Sequence, residues 1–285
     1  MAKIIVTTDS GADLSKELIE EFNIEVIPLG VIMDDTVYMD GSIPIESVYE
    51  YYNRTKKIPS TTAANVHQYE QFFDRINREN PGCDIINIAY SSNASSTCHH
   101  AELAAKEFEN VTVVDSLSVT GGTASIAIRA AEIIKERPEI AVKDLVEELK
   151  DLVKRIKTTF LPTALEYLKA GGRVSNAQYL GATLLKIKPK IDIENGFLVA
   201  GKKYRGSMKA VALNYMEEFI KENKLSKKVI YLMSTVGLDS RILDMMTEKA
   251  KEMGFEKIRY TVCGCVISCH GGPGAIGLSG FAEEE

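Results

Sequence analysis

The first half of the chain alternates, and that alternation constrains the fold more than any other feature. Short runs rich in β-branched residues (3–8, 24–29, 84–90 and 111–115) are separated by segments whose apolar residues recur at helical spacing (15–22, 45–54, 69–78, 96–108 and 124–135). Such alternation predicts a mostly parallel sheet with helices on both faces. Residues 31–38 break the pattern: two short apolar runs flank the pair Asp34-Asp35. They read as a β-hairpin, expected over about 29–42 as an insertion into the α/β domain.

A long amphipathic segment, 142–157, closes this half. We place a boundary at its end, giving an α/β domain over 1–158 and a smaller α+β domain over 159–285. Residues 187–193 alternate in and out, Asn195-Gly196 suits a type I′ turn, and 197–203 returns antiparallel. A helix (208–221), a strand (228–234), a second helix (240–253) and a second strand (257–262) follow by the same criteria.

Composition narrows the function. Hydrophobic residues make up 45% of the 285 and charged residues 26%, the ordinary balance of a globular protein. Lys and Arg number 34 against 40 acidic residues, a net charge of −6 with no basic block, so nucleic acid is not an expected partner. No run of eighteen apolar residues occurs, so a spanning segment is not expected, although transient contact with a membrane surface stays open. The opening apolar run is short and ends at Asp9, unlike a signal peptide. Five scattered cysteines fit reduced thiols in the cytoplasm.

Polar residues gather where strands end. Asp9-Ser10, Ser91-Ser92 and Asp115-Ser116 each follow an apolar run. The carboxyl edge of an open parallel sheet is where ligands bind. The same residues also serve as helix caps and turn formers. Ser60, Thr61 and Thr62 put three hydroxyls before a segment whose Asn65 and Gln68 suit a capping box. As neutral donors, they suit a carboxylate or a phosphate. Gly171 and Gly172 read as a helix C-cap, with another helix opening at Ser175, and Arg173 is placed to pair with an anion. In 268–277, four glycines follow His270 and expose backbone N–H groups beside it.

Several motifs fail on inspection. The stretch 272–277 matches G-x-G-x-x-G formally, but Pro273 occupies the tight turn and eight residues follow, too few for a crossover. Cys263, Cys265 and Cys269 beside His270 have a zinc-like spacing. We place Cys263 and Cys265 on one face of a strand, as buried packing residues. No G-x-S-x-G or S-x-x-K accompanies Ser91 or Ser92, and there are four histidines in all. His67, His99 and His100 fall in or at the start of expected helices. No metal or other cofactor is expected.

In order, these pieces resemble the DegV family. The resemblance rests on Asp9-Ser10-Gly11-Ala12-Asp13-Leu14, on residues 59–62 and on Ser91-Ser92-Asn93-Ala94-Ser95-Ser96-Thr97. It continues through Val114-Asp115-Ser116, residues 167–173, Lys186-Ile187-Lys188-Pro189, Tyr204-Arg205-Gly206 and His270-Gly271-Gly272-Pro273-Gly274. The match is collinear from residue 9 to about 278. It implies a two-domain fold with one long-chain fatty acid buried at the domain junction. It also implies a carrier that performs no chemistry alone: it presents the carboxylate to a separate ATP-dependent fatty acid kinase and holds the acyl phosphate. Carried over by position, Thr61, Thr62, Ser91 and Ser92 would meet the carboxylate, with Arg173 and His270 completing the head-group network. Ala63-Ala64 stand where the family has Gln-Pro, and Ala94 and Ser96 where it has Leu and Gly. Chain-length preference is the property these departures leave open. The competing readings are a serine-dependent lipid or thioester hydrolase or transferase using Ser92 with His270, and a metal or redox sensor built on Cys263, Cys265 and Cys269.

Overall fold

A computed structural model describes residues 3–174 and 187–284. Among these residues three sheets form. The first is parallel, ordered β2-β1-β6-β7 from Glu25–Ile27, Ile4–Asp9, Asp84–Ala89 and Val111–Asp115. β1 and β6 are buried on both faces after their first residue, as a parallel sheet between helical layers requires. One face is covered by α3 (Val66–Glu79) and α4 (Thr97–Ala105), where Tyr69, Phe72, Phe73 and Ile76 form the apolar stripe. The capping box at the start of α3 is present: the Gln68 N–H donates to Asn65 Oδ1 (2.9 Å) and the Asn65 N–H to Gln68 Oε1 (2.8 Å). The other face carries α1 (Lys16–Phe22), α5 (Gly121–Glu136) and α6 (Val142–Arg155). Leu145, Leu149 and Leu152 are the buried stripe of α6, each contributing roughly 1.5–3 kcal/mol by leaving water.

The expected hairpin is β3 (Gly30–Met33) with β4 (Thr36–Met39), and Asp34 and Asp35 both take positive φ in its turn. Residues 60–62, read above only as three hydroxyls ahead of a capping box, form β5 (Ser60–Thr62), which pairs with β3. Three residues carry too little periodicity to announce a strand; the exposed edge of β3 supplies the partner. α2 (Glu46–Thr55) connects β4 to β5.

The second main sheet is mixed, ordered β10-β9-β8-β13-β11-β12. Its strands are β8 (Ile156–Leu161), β9 (Ile187–Glu194), β10 (Phe197–Arg205), β11 (Val229–Ser234), β12 (Lys257–Val262) and β13 (Ile276–Phe281). The boundary drawn at 158 falls inside β8. Helices α8 (Met208–Glu222) and α9 (Ser240–Glu252) pack on one face. α5 packs on the other, so it lies between the two large sheets. That position explains why residues 121–128 are buried all round.

The reading of Cys263 and Cys265 is corrected. Cys263 and Cys265 do not share a strand face: β12 ends at Val262, and Cys265 opens α10 (Cys265–Gly271). The start of α10 is capped from a distance. Asp13 accepts from the Gly264 N–H (2.7 Å) and Asp40 from the Cys265 N–H (2.9 Å), a device that local sequence does not display. Within the glycine-rich stretch, His270 lies in the last turn of α10 and Ile276 begins β13, an interior strand. The helix expected to open at Ser175 lies outside the described residues.

Candidate ligand-binding site

Three distant segments converge on His270. α10 carries the imidazole, β5 brings Thr61, and the C-terminus of α7 (Leu165–Gly171) brings Gly171 and Arg173. The Thr61 hydroxyl and His270 Nε2 are hydrogen-bonded at 2.9 Å. Nδ1 is buried with no hydrogen-bond partner among the described residues. The ring packs on Gly171, where a Cβ would come within 2.3 Å of Nδ1, so only glycine admits the imidazole there. Arg173 Nη1 donates to the Gly171 carbonyl, which fixes the guanidinium beside the ring. Enclosure of the imidazole, then the positive charge of Arg173, lowers the His270 pKa to about 4. At neutral pH the group is an uncharged donor–acceptor next to a permanent cation.

The other sequence candidates are placed differently. Ser91 is fully buried, and its hydroxyl donates to the Gly196 carbonyl (2.9 Å) while accepting from the Asn93 N–H (3.2 Å). Its single proton is therefore committed to docking the β9–β10 turn. Ser92 is exposed and directs its backbone N–H to Asp115 (3.3 Å). Thr62 is exposed, with its hydroxyl on its neighbour's carbonyl, Ala63 O (3.3 Å). The structure thus groups Thr61, Arg173 and His270, and leaves Thr62, Ser91 and Ser92 outside that group.

The polar pairs at the strand ends organise loops. Asp9 accepts from the Gly11 and Tyr90 N–H groups (3.0 and 2.9 Å), and Asp115 from Leu117 (2.9 Å). Ser10 donates to Asp40 (2.8 Å). Burial raises the pKa of Asp9 to about 6 and that of Asp13 to about 8. Asp13 also accepts from the Thr120 hydroxyl (2.5 Å). That bond holds Thr120 at φ 45°, a conformation costing a β-branched residue about 1–3 kcal/mol.

Beside His270 lies a narrow cleft with a cavity volume of about 50 Å³, opening into about 500 Å³ of space when the solvent at its mouth is counted. Val119, Phe160, Leu198, Met233, Ile267 and Ile276 make it predominantly apolar, and Tyr90, Thr120, Ser234, Thr235 and His270 are among its polar residues. Its walls come from the loop after β7 on one side and from β8, β10, β11, α10 and β13 on the other. Sequence reading missed these apolar residues. Nothing in a strand pattern separates a side chain that faces a cleft from one that faces the core. Cys263 also lines the cleft, and burial holds its thiol well above the usual range, as it does for Cys265 and Cys269. Such thiols are protonated, the wrong state for nucleophilic attack.

Fold and cleft together define an α/β protein with two large sheets and an apolar recess lined on one side by the neutral imidazole of His270, which is bonded to Thr61 and lies near Arg173. The family model described as "Uncharacterised protein, DegV family" matches residues 3–283, and the chain belongs to the DegV family. A DegV domain-containing protein of Clostridium perfringens is 31% identical over 292 residues, covering 100% of both chains. Two solved structures are similar throughout. One, from Thermus thermophilus and described as showing fatty acid binding of a DegV family protein, has a TM-score of 0.88 and 26% identity, covering 99% of this chain and 100% of that one. The other is DegV of Bacillus subtilis, described as a fatty acid binding protein, with a TM-score of 0.84, 26% identity and the same coverage.

Proposed function

We propose that this protein is a fatty-acid carrier. It buries one long-chain fatty acid in the cleft, presents the carboxylate to a separate ATP-dependent fatty acid kinase, and holds the resulting acyl phosphate. The observation that carries the reading is the joining of an apolar cleft to the Thr61–His270–Arg173 cluster. Two relatives of matching fold, described as fatty-acid-binding, point the same way.

The division of labour follows from energetics. Burying an acyl chain contributes about 0.8 kcal/mol per methylene, so about a dozen methylenes supply on the order of 10 kcal/mol before association costs. The carboxylate taken from water needs hydrogen bonds or a counter-charge. A neutral imidazole and a threonine hydroxyl supply donors, and Arg173 supplies charge that also suits the more negative phosphorylated head group. Ser91 is assigned to turn docking in this reading, and Thr62 and Ser92 are given no part in holding the head group. No described helix is long and apolar enough to cross a membrane, and a cytoplasmic carrier meeting its kinase there is the arrangement we favour. No observation favours a serine hydrolase, since His270 Nε2 bonds to Thr61 and not to Ser92.

The test is denaturing extraction of purified protein followed by mass spectrometry. About one fatty acid per chain is expected, with acyl phosphate forming only when a fatty acid kinase and ATP are added. Protein that is repeatedly lipid-free, and that takes up no fatty acid in titration, would falsify the reading. Steady ester or thioester hydrolysis by the protein alone would replace it.

A further inference from the structure

The second sheet places Phe160, Gly277 and Met233 side by side on three adjacent strands, with Gly277 paired to both neighbours. All three line the cleft. The central position has no side chain, and the Met233 thioether occupies the slot that this leaves. A Cβ on Gly277 would lie 3.0 Å from Met233 Cε. On the opposite side, a Cβ on Gly121, the first residue of α5, would lie 2.6 Å from Met233 Sδ. The Gly121 N–H points at that sulfur, 3.2 Å away. Two glycines from different elements therefore clear space for one methionine, whose residue is only 2% exposed.

Methionine is the side chain best able to alter a wall's shape without moving backbone, being unbranched with three rotatable bonds. Its place along β11 also matters. Thr235 lies two residues on, bonded to the Gly272 carbonyl (2.6 Å) and accepting from the Ala275 N–H (2.8 Å) next to the His270 end. Two residues along a strand span about 6–7 Å. Met233 therefore lines the cleft a step along the strand from Thr235 and His270, where a chain whose head group meets His270 would pass it.

We propose that Met233, seated on Gly121 and Gly277, is the adjustable wall that sets which acyl chains the cleft accepts. This rests on the fatty-acid reading above and adds a specificity determinant to it. Removing the thioether in Met233→Ala enlarges the cleft and favours longer or bulkier chains. Gly277→Ala pushes the thioether into the cleft and favours shorter ones. Met233→Leu conserves volume but branches the side chain, which keeps the preferred length and narrows the range accepted.

Wild type and the three variants are purified from the same cells, their lipids identified by mass spectrometry, and each is competed with a graded series of saturated fatty acids. A change of about tenfold in the longer-to-shorter binding ratio is expected, upward for Met233→Ala and downward for Gly277→Ala. Folded Met233→Ala or Gly277→Ala with the wild-type length profile overturns the proposal. Should both unfold, Met233→Leu decides: a range as broad as wild type overturns the adjustable role, and a narrower one supports it. Wild type that binds no fatty acid would sink the carrier reading itself, a separate result.

Discussion

At the scale of single residues, His270 shows how position assigns chemistry. An exposed histidine would be partly charged near neutrality. Here enclosure and Arg173 keep the ring neutral down to about pH 4, so it can share a proton with Thr61 or with a bound head group. We expect His270→Ala and Arg173→Ala proteins to retain co-purified fatty acid, because most binding free energy comes from the acyl chain. Acyl phosphate formed with the partner kinase should fall more than tenfold in both, since charge builds at the head group during transfer. Full phosphorylation by both variants would make these residues merely structural. Thr61→Ala removes one neutral hydrogen bond and should weaken fatty acid binding only a few-fold, about 1 kcal/mol, measurable by titration.

At the scale of elements, the β9–β10 hairpin is a clasp. Its Asn195-Gly196 turn docks on the loop after β6 through Ser91 Oγ to Gly196 O and Asn93 Nδ2 to Asn195 O, each 2.9 Å. Gly196 has φ 83°, and a Cβ there would lie 2.4 Å from Ser91 Oγ. Ser91→Ala should cost about 1–3 kcal/mol of stability, because the buried carbonyl loses its donor. Gly196→Ala should cost a similar amount through backbone strain and collision. Denaturant unfolding of the two variants checks this, and wild-type midpoints in both would show that the clasp is not needed. The hairpin itself was legible, since Asn-Gly between alternating runs is a strong local signal. Its docking partner was not, because Ser91 lies 105 residues away.

At the scale of the whole molecule, the two halves meet through buried titratable groups whose pH effects oppose one another. Asp13 joins the first half to the start of α10 through the Gly264 N–H. Burial raises its pKa from 3.8 to about 8, so between those values the folded state holds a proton that the unfolded chain has lost. Stability from Asp13 is thus full below about pH 4 and is lost as pH rises through about 8. Asp9, raised to about 6, acts with the same sign over a narrower window. His270, lowered from 6.5 to about 4, acts oppositely: its contribution is present above 6.5 and is lost as pH falls through 4. His270 offsets only one of the two aspartates between about 4 and 6 and balances Asp13 between about 6 and 6.5, and Asp13 alone of the three governs the range from 6.5 to 8. Stability measured by urea unfolding should therefore decline between pH 6.5 and 8, by an amount on the order of a few kcal/mol. Asp13→Asn, which keeps an acceptor for Gly264, should flatten that decline. An unchanged slope in Asp13→Asn would mean the carboxyl is ionised in the fold.

The alternation of β-branched runs with helical spacing determined the parallel sheet, its helical layers and the hairpin, because each is written in local periodicity. Motif order determined the family, since many short signatures in one sequence order leave little room for coincidence. Only the tertiary structure decided which polar residues share a site. Thr61, Gly171 and His270 meet because β5, α7 and α10 pack together, whereas Ser91, equally eligible by residue type, is taken up by the hairpin turn. Only the tertiary structure separated the cleft wall from the core. Met233 and Phe160 read as ordinary strand residues until strand order puts Gly277 between them and α5 brings Gly121 over the sulfur. A side chain's neighbours across a sheet follow from strand pairing, and strand pairing is a property of the whole chain.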